Sequence, residues 1–243
     1  AISAGAAVKK VTLSKNFLFG SKLEHGTWGD TVHDIDADQT GWSSLCESFK
    51  GSSIEELILC DVGMGVNGVA SLADAIKFMA ALNSLKCANN PGMVGQLDRY
   101  GNLKTPDAHA EVFKELTDSL KTSQVTEADF SSCGIGPVAL GHLSDLVRDA
   151  TAMLTSINCL ANNFGDDDLA ILLMAIEGTS VRSLCGLTEG QTVADFSKQN
   201  LKPIDCKIIA AEFGFQGFIA AVTSMNCLCL LYTSDAADDR MRV

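Results

Sequence analysis

A short apolar segment recurs along the chain, and each copy has the same order of apolar and polar positions. Every copy is apolar at its first and fourth places and carries Leu, Cys or Phe at its sixth place. The ninth place holds Asn, Cys or Val, and the clearest copies are IEELILCDVGMG from Ile54, LNSLKCANNPG from Leu82, VTEADFSSCGIG from Val125 and LTSINCLANNFG from Leu154. Because alternate side chains of a strand point to opposite faces, this spacing predicts a short strand whose fourth and sixth places enter one core.

A helical pattern follows most copies of the segment. Apolar residues recur at the spacing of one helix face in Val69-Leu72-Ala73-Ile76, Leu169-Leu172-Leu173-Ile176 and Ile208-Ile209-Phe213. The sixth places Leu59 and Cys87 are 28 residues apart, and Phe130 and Cys159 are 29 apart. That interval is typical of a repeat with one strand and one helix in each unit.

Weaker copies of the segment begin at Val8 and Val222, so the repeat covers roughly residues 8–228. The shared pattern, L-x-x-L-x-L-x-x-N/C followed by a helix, resembles the leucine-rich repeat in its longer, ribonuclease-inhibitor-like form. The resemblance implies an α/β fold, a right-handed β-α solenoid (a horseshoe arc) with a parallel concave sheet and convex helices. We expect one array of about six units over residues 1–228. Asn90 and Asn162, at ninth places, are expected to bond backbone groups where the chain leaves each strand.

Two irregularities interrupt the predicted array. Insertions near residues 19–38 and 93–107 are predicted between a strand and its helix. The sixth places Gly186 and Phe196 are only ten residues apart, which is too short for a helical crossover between parallel strands. One of the segments 181–187 and 191–197 is therefore not a regular rung, and the sequence leaves open which one.

Both ends of the chain depart from the repeat. The chain begins AISAGAAVKK without Met, so we expect it to be a fragment. In the last unit, CLLYTSDAAD at residues 229–238 resembles the translation of a sequencing adapter. We therefore predict that residues 229–243 are an artefactual tail.

Charge and cysteine content narrow the class of partner and compartment. A formal net charge of −12 disfavours nucleic acid and favours a basic partner. No uninterrupted apolar run is long enough to span a membrane. The nine cysteines include no C-x-x-C pair, which predicts a reducing, cytoplasmic setting without disulfides or a metal site. No cofactor is expected, and the predicted core-filling cysteines are Cys87, Cys133, Cys159 and Cys227.

Gly63, Gly65 and Gly68 form a G-x-G-x-x-G motif after an apolar run, as in a dinucleotide-binding loop. Two of these glycines recur two units further on, as Gly134 and Gly136. A phosphate loop is expected once in a fold, whereas a turn that each unit requires recurs at the repeat interval. We interpret the motif as a strand-to-helix turn.

The segment DADQTGWSSLCE, residues 36–47, admits two interpretations. Asp36, Asp38, Thr40 and Glu47 occupy ligand places of an EF-hand calcium loop. Alternatively, the segment begins the helix of the first unit, and the carboxylates of Asp36 and Asp38 stabilise the positive helix N-terminus. We predict no metal site and keep the calcium loop as an alternative.

Residue types that carry catalysis are present but are not grouped. His25, His33, His109 and His142 stand alone, and the sequence contains neither G-x-S-x-G nor a P-loop. We therefore predict no catalytic residues and a non-enzymatic protein.

The strand surface remains as the candidate site. In the predicted array, the third, fifth, seventh and eighth places of each unit face away from the core and line the concave side. We predict an interaction scaffold, and we expect a protein partner to bind this surface through a basic segment of the partner. The alternatives are a GTPase-activating regulator of similar repeat architecture and a calcium-regulated module that uses residues 36–47. The candidate partner-binding residues are Glu56, Ile58, Asp61, Lys86, Asn89, Glu127, Asp129, Asn158, Asp195 and Lys198.

Overall fold

The computed structural model describes residues 8–20, 22–26, 29–33, 36–150, 154–197, 199–215 and 217–227. Within these ranges, short strands and helices alternate along most of the chain. The strands are β1 (Lys10–Thr12), β2 (Lys22–Gly26), β3 (Gly29–His33), β4 (Glu56–Ile58), β5 (Ser84–Lys86), β6 (Gln96–Leu97), β7 (Leu103–Thr105), β8 (Glu127–Asp129), β9 (Ser156–Asn158), β10 (Val193–Asp195) and β11 (Ser224–Asn226). The helices are α1 (Thr40–Phe49), α2 (Val66–Ile76), α3 (Ala110–Lys121), α4 (Pro137–Asp149), α5 (Asp166–Ile176) and α6 (Pro203–Phe215).

Five strands form one parallel sheet whose spatial order follows the chain order, β1-β4-β5-β8-β9. The helices pack side by side in the same sequence, from α1 against α2 to α4 against α5. The predicted α/β class with a mainly parallel sheet is therefore confirmed. The central residues that pair in register across the sheet are Val11, Leu57, Leu85, Ala128 and Ile157.

The sixth place of each unit continues this register beyond the strands. Leu59, Cys87, Phe130 and Cys159 are completely buried. The N–H groups of Leu59, Cys87 and Phe130 each donate to a carbonyl of the next unit, at 2.7, 2.8 and 2.9 Å. Full burial of one such apolar side chain stabilises a fold by about 1.5–3 kcal/mol. The predicted alignment of these four residues as neighbours in one core is therefore confirmed.

The cysteines follow the predicted burial with one exception. Cys87, Cys133 and Cys159 are buried as predicted, and their thiols are free. Cys227 is exposed, so its prediction as a core filler was wrong. It follows β11, which is an edge strand of the small sheet that β10 and β11 form.

Asn90 and Asn162 join consecutive units where the chain leaves each strand, and both are buried. The Oδ1 of Asn90 accepts hydrogen bonds from the N–H groups of Val62 and Met64 at 3.0 and 3.1 Å. Its Nδ2 donates to the carbonyls of Leu59, Cys87 and Ala88. Asn162 makes the equivalent five bonds in its own unit and the preceding one. The predicted role of the ninth-place amides is confirmed.

Two hairpins interrupt the alternation, after β1 and after β5. The β2–β3 hairpin lies within residues 19–38 and the β6–β7 hairpin within residues 93–107. An aspartate with left-handed backbone follows each hairpin. It is Asp36 after β3 and Asp107 after β7, and both have a φ of 59°. Their carboxylates accept hydrogen bonds from N–H groups at the start of α2 and α4 respectively, one unit further on. A carboxylate of the neighbouring unit thereby pairs with the free N–H groups at each helix start and stabilises the positive end of the helix dipole.

The main sheet loses its regularity at residues 181–187. Ser183 and Cys185 form only isolated bridges with β9, whereas β10 pairs with β11 in a separate parallel sheet. The Oε1 of Glu212 accepts hydrogen bonds from the N–H groups of Leu184 and Cys185 and from the Ser183 hydroxyl. The Leu184 N–H is the one that a further strand would bond. Residues 181–187 form only isolated bridges and residues 193–195 pair in a separate sheet, so neither of the two candidate segments is a regular rung of the main sheet.

Helix α6 turns an acidic face inward. Asp205, Ile208 and Glu212 follow one another at helical spacing, and all three are completely buried. The Oδ1 of Asp205 accepts a hydrogen bond from the Ala161 N–H at 2.7 Å. Phe213, predicted to lie in the apolar stripe of this helix, is 59% exposed. That part of the prediction was wrong because two carboxylates occupy the buried face in order to bond backbone N–H groups.

Candidate partner-binding surface

We call the side of the main sheet that faces away from the core the strand face. It carries the first and third residues of the strands, since their central residues point into the core. The first-residue row is Lys10, Glu56, Ser84, Glu127 and Ser156, and the third-residue row is Thr12, Ile58, Lys86, Asp129 and Asn158. The register therefore brings six of the ten predicted residues together on one face. They are Glu56, Ile58, Lys86, Glu127, Asp129 and Asn158.

The other four predicted residues do not lie in these rows. Asp61 and Asn89 follow β4 and β5 at the carboxyl end of the sheet, and both are exposed. Asp195 ends β10 and therefore belongs to the separate two-stranded sheet. Lys198 lies outside the described residues.

Glu56 joins two lysines across neighbouring strands. Its carboxylate lies 2.8 Å from the Lys10 Nζ and 3.5 Å from the Lys86 Nζ. The hydrogen bond from Lys10 is the main reason that the pKa of Glu56 is lowered from its ordinary value. Surface ion pairs of this kind contribute only about 0–1 kcal/mol each. These three charges are largely satisfied by one another and are less available to a partner than the sequence alone predicts.

Asp129 and Asn158 use their side chains to close the turn that follows their strand. The Oδ1 of Asp129 accepts hydrogen bonds from the Ser131 N–H at 3.0 Å and from its hydroxyl at 2.8 Å. The Oδ1 of Asn158 accepts one from the Leu160 N–H at 3.2 Å. Asp195 bonds the N–H of the residue two places on in the same way. Asx-type turns of this kind give these fifth-place residues a structural role on the strand face.

The eighth place of every regular unit has left-handed backbone. The residues are Lys15, Asp61, Asn89, Ser132 and Ala161, with φ values of 62°, 56°, 59°, 54° and 59°. Asn and Asp adopt this conformation more readily than other residues with a side chain. The backbone therefore accounts for part of the preference for Asp61 and Asn89 at this place, and the sequence pattern did not predict the strain.

Glu127 and Asp61 stand apart from these internally satisfied groups. Neither carboxylate forms an ion pair or a side-chain hydrogen bond with another residue in the described ranges. Glu127 is half-buried, and its register partners on the two neighbouring strands are Ser84 and Ser156. The Ser84 hydroxyl oxygen is buried without a hydrogen-bond partner in the part of the chain that the structure describes. The strand face thus contains an unpaired carboxylate next to an unsatisfied hydroxyl.

The calcium-loop candidates lie at a helix start. α1 begins at Thr40, which confirms that residues 36–47 contain the start of the first helix. The prediction that Asp36 stabilises the N-terminus of this helix was wrong, because its carboxylate reaches the start of α2 instead. Asp36 bonds the N–H groups of Gly65 and Asn67 at 3.0 and 2.7 Å, Asp38 bonds the Thr40 N–H, and Glu47 pairs with Lys50. Over the described ranges, no three His, Cys, Asp or Glu side chains are grouped to hold a metal ion.

The G-x-G-x-x-G glycines have packing and backbone roles. Gly63 has a φ of 70°, and a Cβ at Gly68 would lie 2.6 Å from the Phe19 ring. The N-terminus of α2, where a phosphate would bind, already bonds the Asp36 carboxylate. This geometry agrees with the interpretation of the motif as a strand-to-helix turn.

No protein-family model matches the chain, and no curated protein matches it. Among the described residues, no helix has both the length and the apolar character needed to cross a membrane. The function is therefore inferred from the geometry of the strand face and its surroundings.

Three acidic residues with important roles were not among the sequence predictions: Asp107, Asp205 and Glu212. The role of Asp107 could have been predicted from the sequence, because Asp107 precedes Gly136 by the same 29 residues that separate Asp36 from Gly65. The sequence indicates the burial of Asp205 and Glu212 only weakly, through their position on the same helix face as Ile208. Their bonding partners lie in distant segments, which no local pattern indicates.

Proposed function

We propose that this chain is a leucine-rich-repeat protein of the ribonuclease-inhibitor-like type, built as a right-handed solenoid, and that it acts as a non-enzymatic scaffold. A protein partner binds across the strand face through a basic segment. The free, buried thiols of Cys87, Cys133 and Cys159 support a reducing, cytoplasmic location as part of the same proposal.

The observation that carries the proposal is the unpaired carboxylate of Glu127, on the fourth strand of a five-strand polar row. Helices α1 to α5 pack in the same order as the strands, so the strand face is the side of the sheet left for a partner. A cation that reaches Glu127 would gain an ion pair without breaking one inside the protein. The net charge of −12 would speed the approach of a basic segment.

The test is selection of phage-displayed random peptides on the immobilised protein. We expect Arg- and Lys-rich peptides to be enriched, and Glu127→Lys to weaken their binding by at least about tenfold through like-charge repulsion. Glu115→Lys, on the exposed surface of α3, makes the same change of net charge away from the strand face and should bind nearly as well as wild type. Combined reversal of Glu56, Asp61, Glu127 and Asp129 should abolish binding.

Enrichment of neutral or acidic peptides would contradict the proposal, as would equal losses in Glu127→Lys and Glu115→Lys. The thermal stability of the combined variant should be measured as a control for folding, because Asp129 also closes a turn.

A further inference from the structure

A small cavity opens at the carboxyl end of the main sheet, between the loop after β4 and the β6–β7 hairpin. Its volume is about 170 Å³. Pockets for drug-sized ligands and cofactors are larger, roughly 300–1,000 Å³. The cavity therefore has room for one side chain rather than for a nucleotide or a comparable small molecule. Its lining includes Asp61, Met64, Asn89, Pro91 and Leu97.

The polar part of the lining has unused hydrogen-bonding capacity. Asp61 and Asn89 occupy equivalent eighth places of neighbouring units, and their side chains make no hydrogen bond within the described ranges. Lys15 occupies the same place in the preceding unit, yet no ion pair joins it to Asp61 among the described residues. By contrast, Asn90 below them is buried and bonded through both its oxygen and its nitrogen. The cavity thus offers one free carboxylate and one free amide.

The rest of the lining is apolar and held in place. Met64 is almost completely buried and comes from the turn before α2. Leu97 belongs to the hairpin, which contacts the short helical turn Pro91–Met93. The hairpin itself is tightly packed at its base, since a Cβ at Gly95 would meet the Leu103 side chain at 2.1 Å. These walls suit the aliphatic stem of a long side chain whose charged end reaches Asp61.

We propose that this cavity binds one arginine side chain of the partner's basic segment, with the guanidinium on Asp61 and Asn89 and the stem against Met64 and Leu97. Arginine fits better than lysine because its planar fork presents several donors, enough for a carboxylate and an amide oxygen at once. This inference rests on the proposed function and specifies where one residue of the partner is held.

The test uses N-acetyl-arginine N-methylamide as the probe and the full chain labelled on its methionine methyl groups. NMR titration should shift the Met64 methyl signal, which is assigned by its loss in Met64→Leu. We expect saturable binding that weakens at least about tenfold when citrulline, the neutral isostere, replaces arginine. Asp61→Asn should cause a similar loss while keeping a residue that tolerates left-handed backbone. Glu115→Gln, which removes one negative charge from α3, should bind the probe as wild type does.

Three results would overturn the inference: no Met64 shift in the wild-type protein, equal binding of the citrulline probe, or unchanged binding by Asp61→Asn. Equal or tighter binding of N-acetyl-lysine N-methylamide would overturn the choice of arginine. The citrulline comparison uses unaltered protein and stays decisive even if Asp61→Asn folds poorly. The NMR titration uses no partner peptide, so the two tests are independent. A negative titration would not change the outcome of the Glu127 peptide test, and a negative peptide test would not change the outcome of the titration.

Discussion

The regular units and the region after residue 181 meet the same hydrogen-bonding need with different groups. In the regular part, the Ile157 N–H donates to the carbonyl of Ser183 in the next segment, at 2.9 Å. At the same place one unit later, the Leu184 N–H donates to the Glu212 carboxylate. A parallel ladder needs an acceptor at every step, and a helix can supply that acceptor as a carboxylate when the next strand is missing.

The eighth place gives a second example of the same difference. The Ser132 N–H donates to the carbonyl of Leu160 at 3.1 Å. One unit later, the Ala161 N–H donates to the Asp205 carboxylate at 2.7 Å. Two carboxylates of α6 therefore end the pattern of backbone acceptors by accepting the hydrogen bonds of the Leu184 and Ala161 N–H groups. This arrangement also protects the last segment of the sheet from pairing with another chain.

The largest effect is expected in the regular part, from Asn90→Ala. The change removes five hydrogen bonds and leaves buried N–H and carbonyl groups of two units without partners. We expect the free energy of unfolding to fall by at least about 3 kcal/mol, measured by denaturant titration. Asn83→Ala, at an exposed residue of the same unit, should cost no more than about 0.5 kcal/mol. Similar losses in the two variants would contradict the role given to the ninth-place amide.

In the interrupted region, Glu212→Leu is expected to cost about 2–3 kcal/mol, because it leaves the Leu184 N–H buried and unpaired and removes one of the two acceptors of the Cys185 N–H. Glu212→Gln keeps an acceptor oxygen of the same shape and should lose clearly less. Chemical denaturation of both variants makes the comparison. A leucine variant as stable as wild type would mean that the carboxylate does not replace a strand.

A smaller loss is expected at the two aspartates that cap helices from the neighbouring unit. Asp107→Ala and Asp36→Ala should each lower the free energy of unfolding by about 1–2 kcal/mol, since each leaves helix N–H groups unpaired. Thermal unfolding should give the same loss for Asp36→Ala in calcium and in chelator. A loss seen only in calcium would favour the calcium-loop interpretation instead.

The smallest effect concerns pH and also separates the two regions. Burial raises the pKa of Glu212 from its ordinary value of 4.5. The folded state therefore holds this proton more tightly than the unfolded state, so the contribution of Glu212 to stability falls as pH rises above about 4.5 toward the folded pKa. Measured against Glu212→Gln, the wild type should lose relative stability over that range. A constant difference between the two proteins would contradict the raised pKa.

The sequence predicted the parts of this fold that depend on local, repeated patterns. Leu59, Cys87, Phe130 and Cys159 were found from spacing alone, because burial in a strand follows a fixed alternation. The bonding of Asn90 followed from the need to satisfy backbone groups at each strand end. The α/β class then followed from one strand and one helix per unit.

The remaining features depend on contacts between distant segments. Glu212 and Asp205 acquire their roles only when α6 packs on the last segment of the sheet. The exposure of Phe213 follows from the same packing. On the strand face, the pairing of Glu56 with two lysines reduces a candidate binding residue to an internal contact. Such partners depend on register and tertiary packing, which a single sequence does not contain.

The interlocking amides have a consequence for how the gene could change length. Each Asn at a ninth place serves its own unit and the one before it, which carries Val or Cys there, so a duplicated or deleted pair of units within residues 54–165 would find the same donors and acceptors at both junctions, whereas a single unit would not. An insertion or deletion of the same length between Ser183 and Glu212 would move the Leu184 N–H away from the α6 carboxylate that accepts its hydrogen bond. Growth and shrinkage by recombination should therefore be tolerated in the first stretch and rejected in the second.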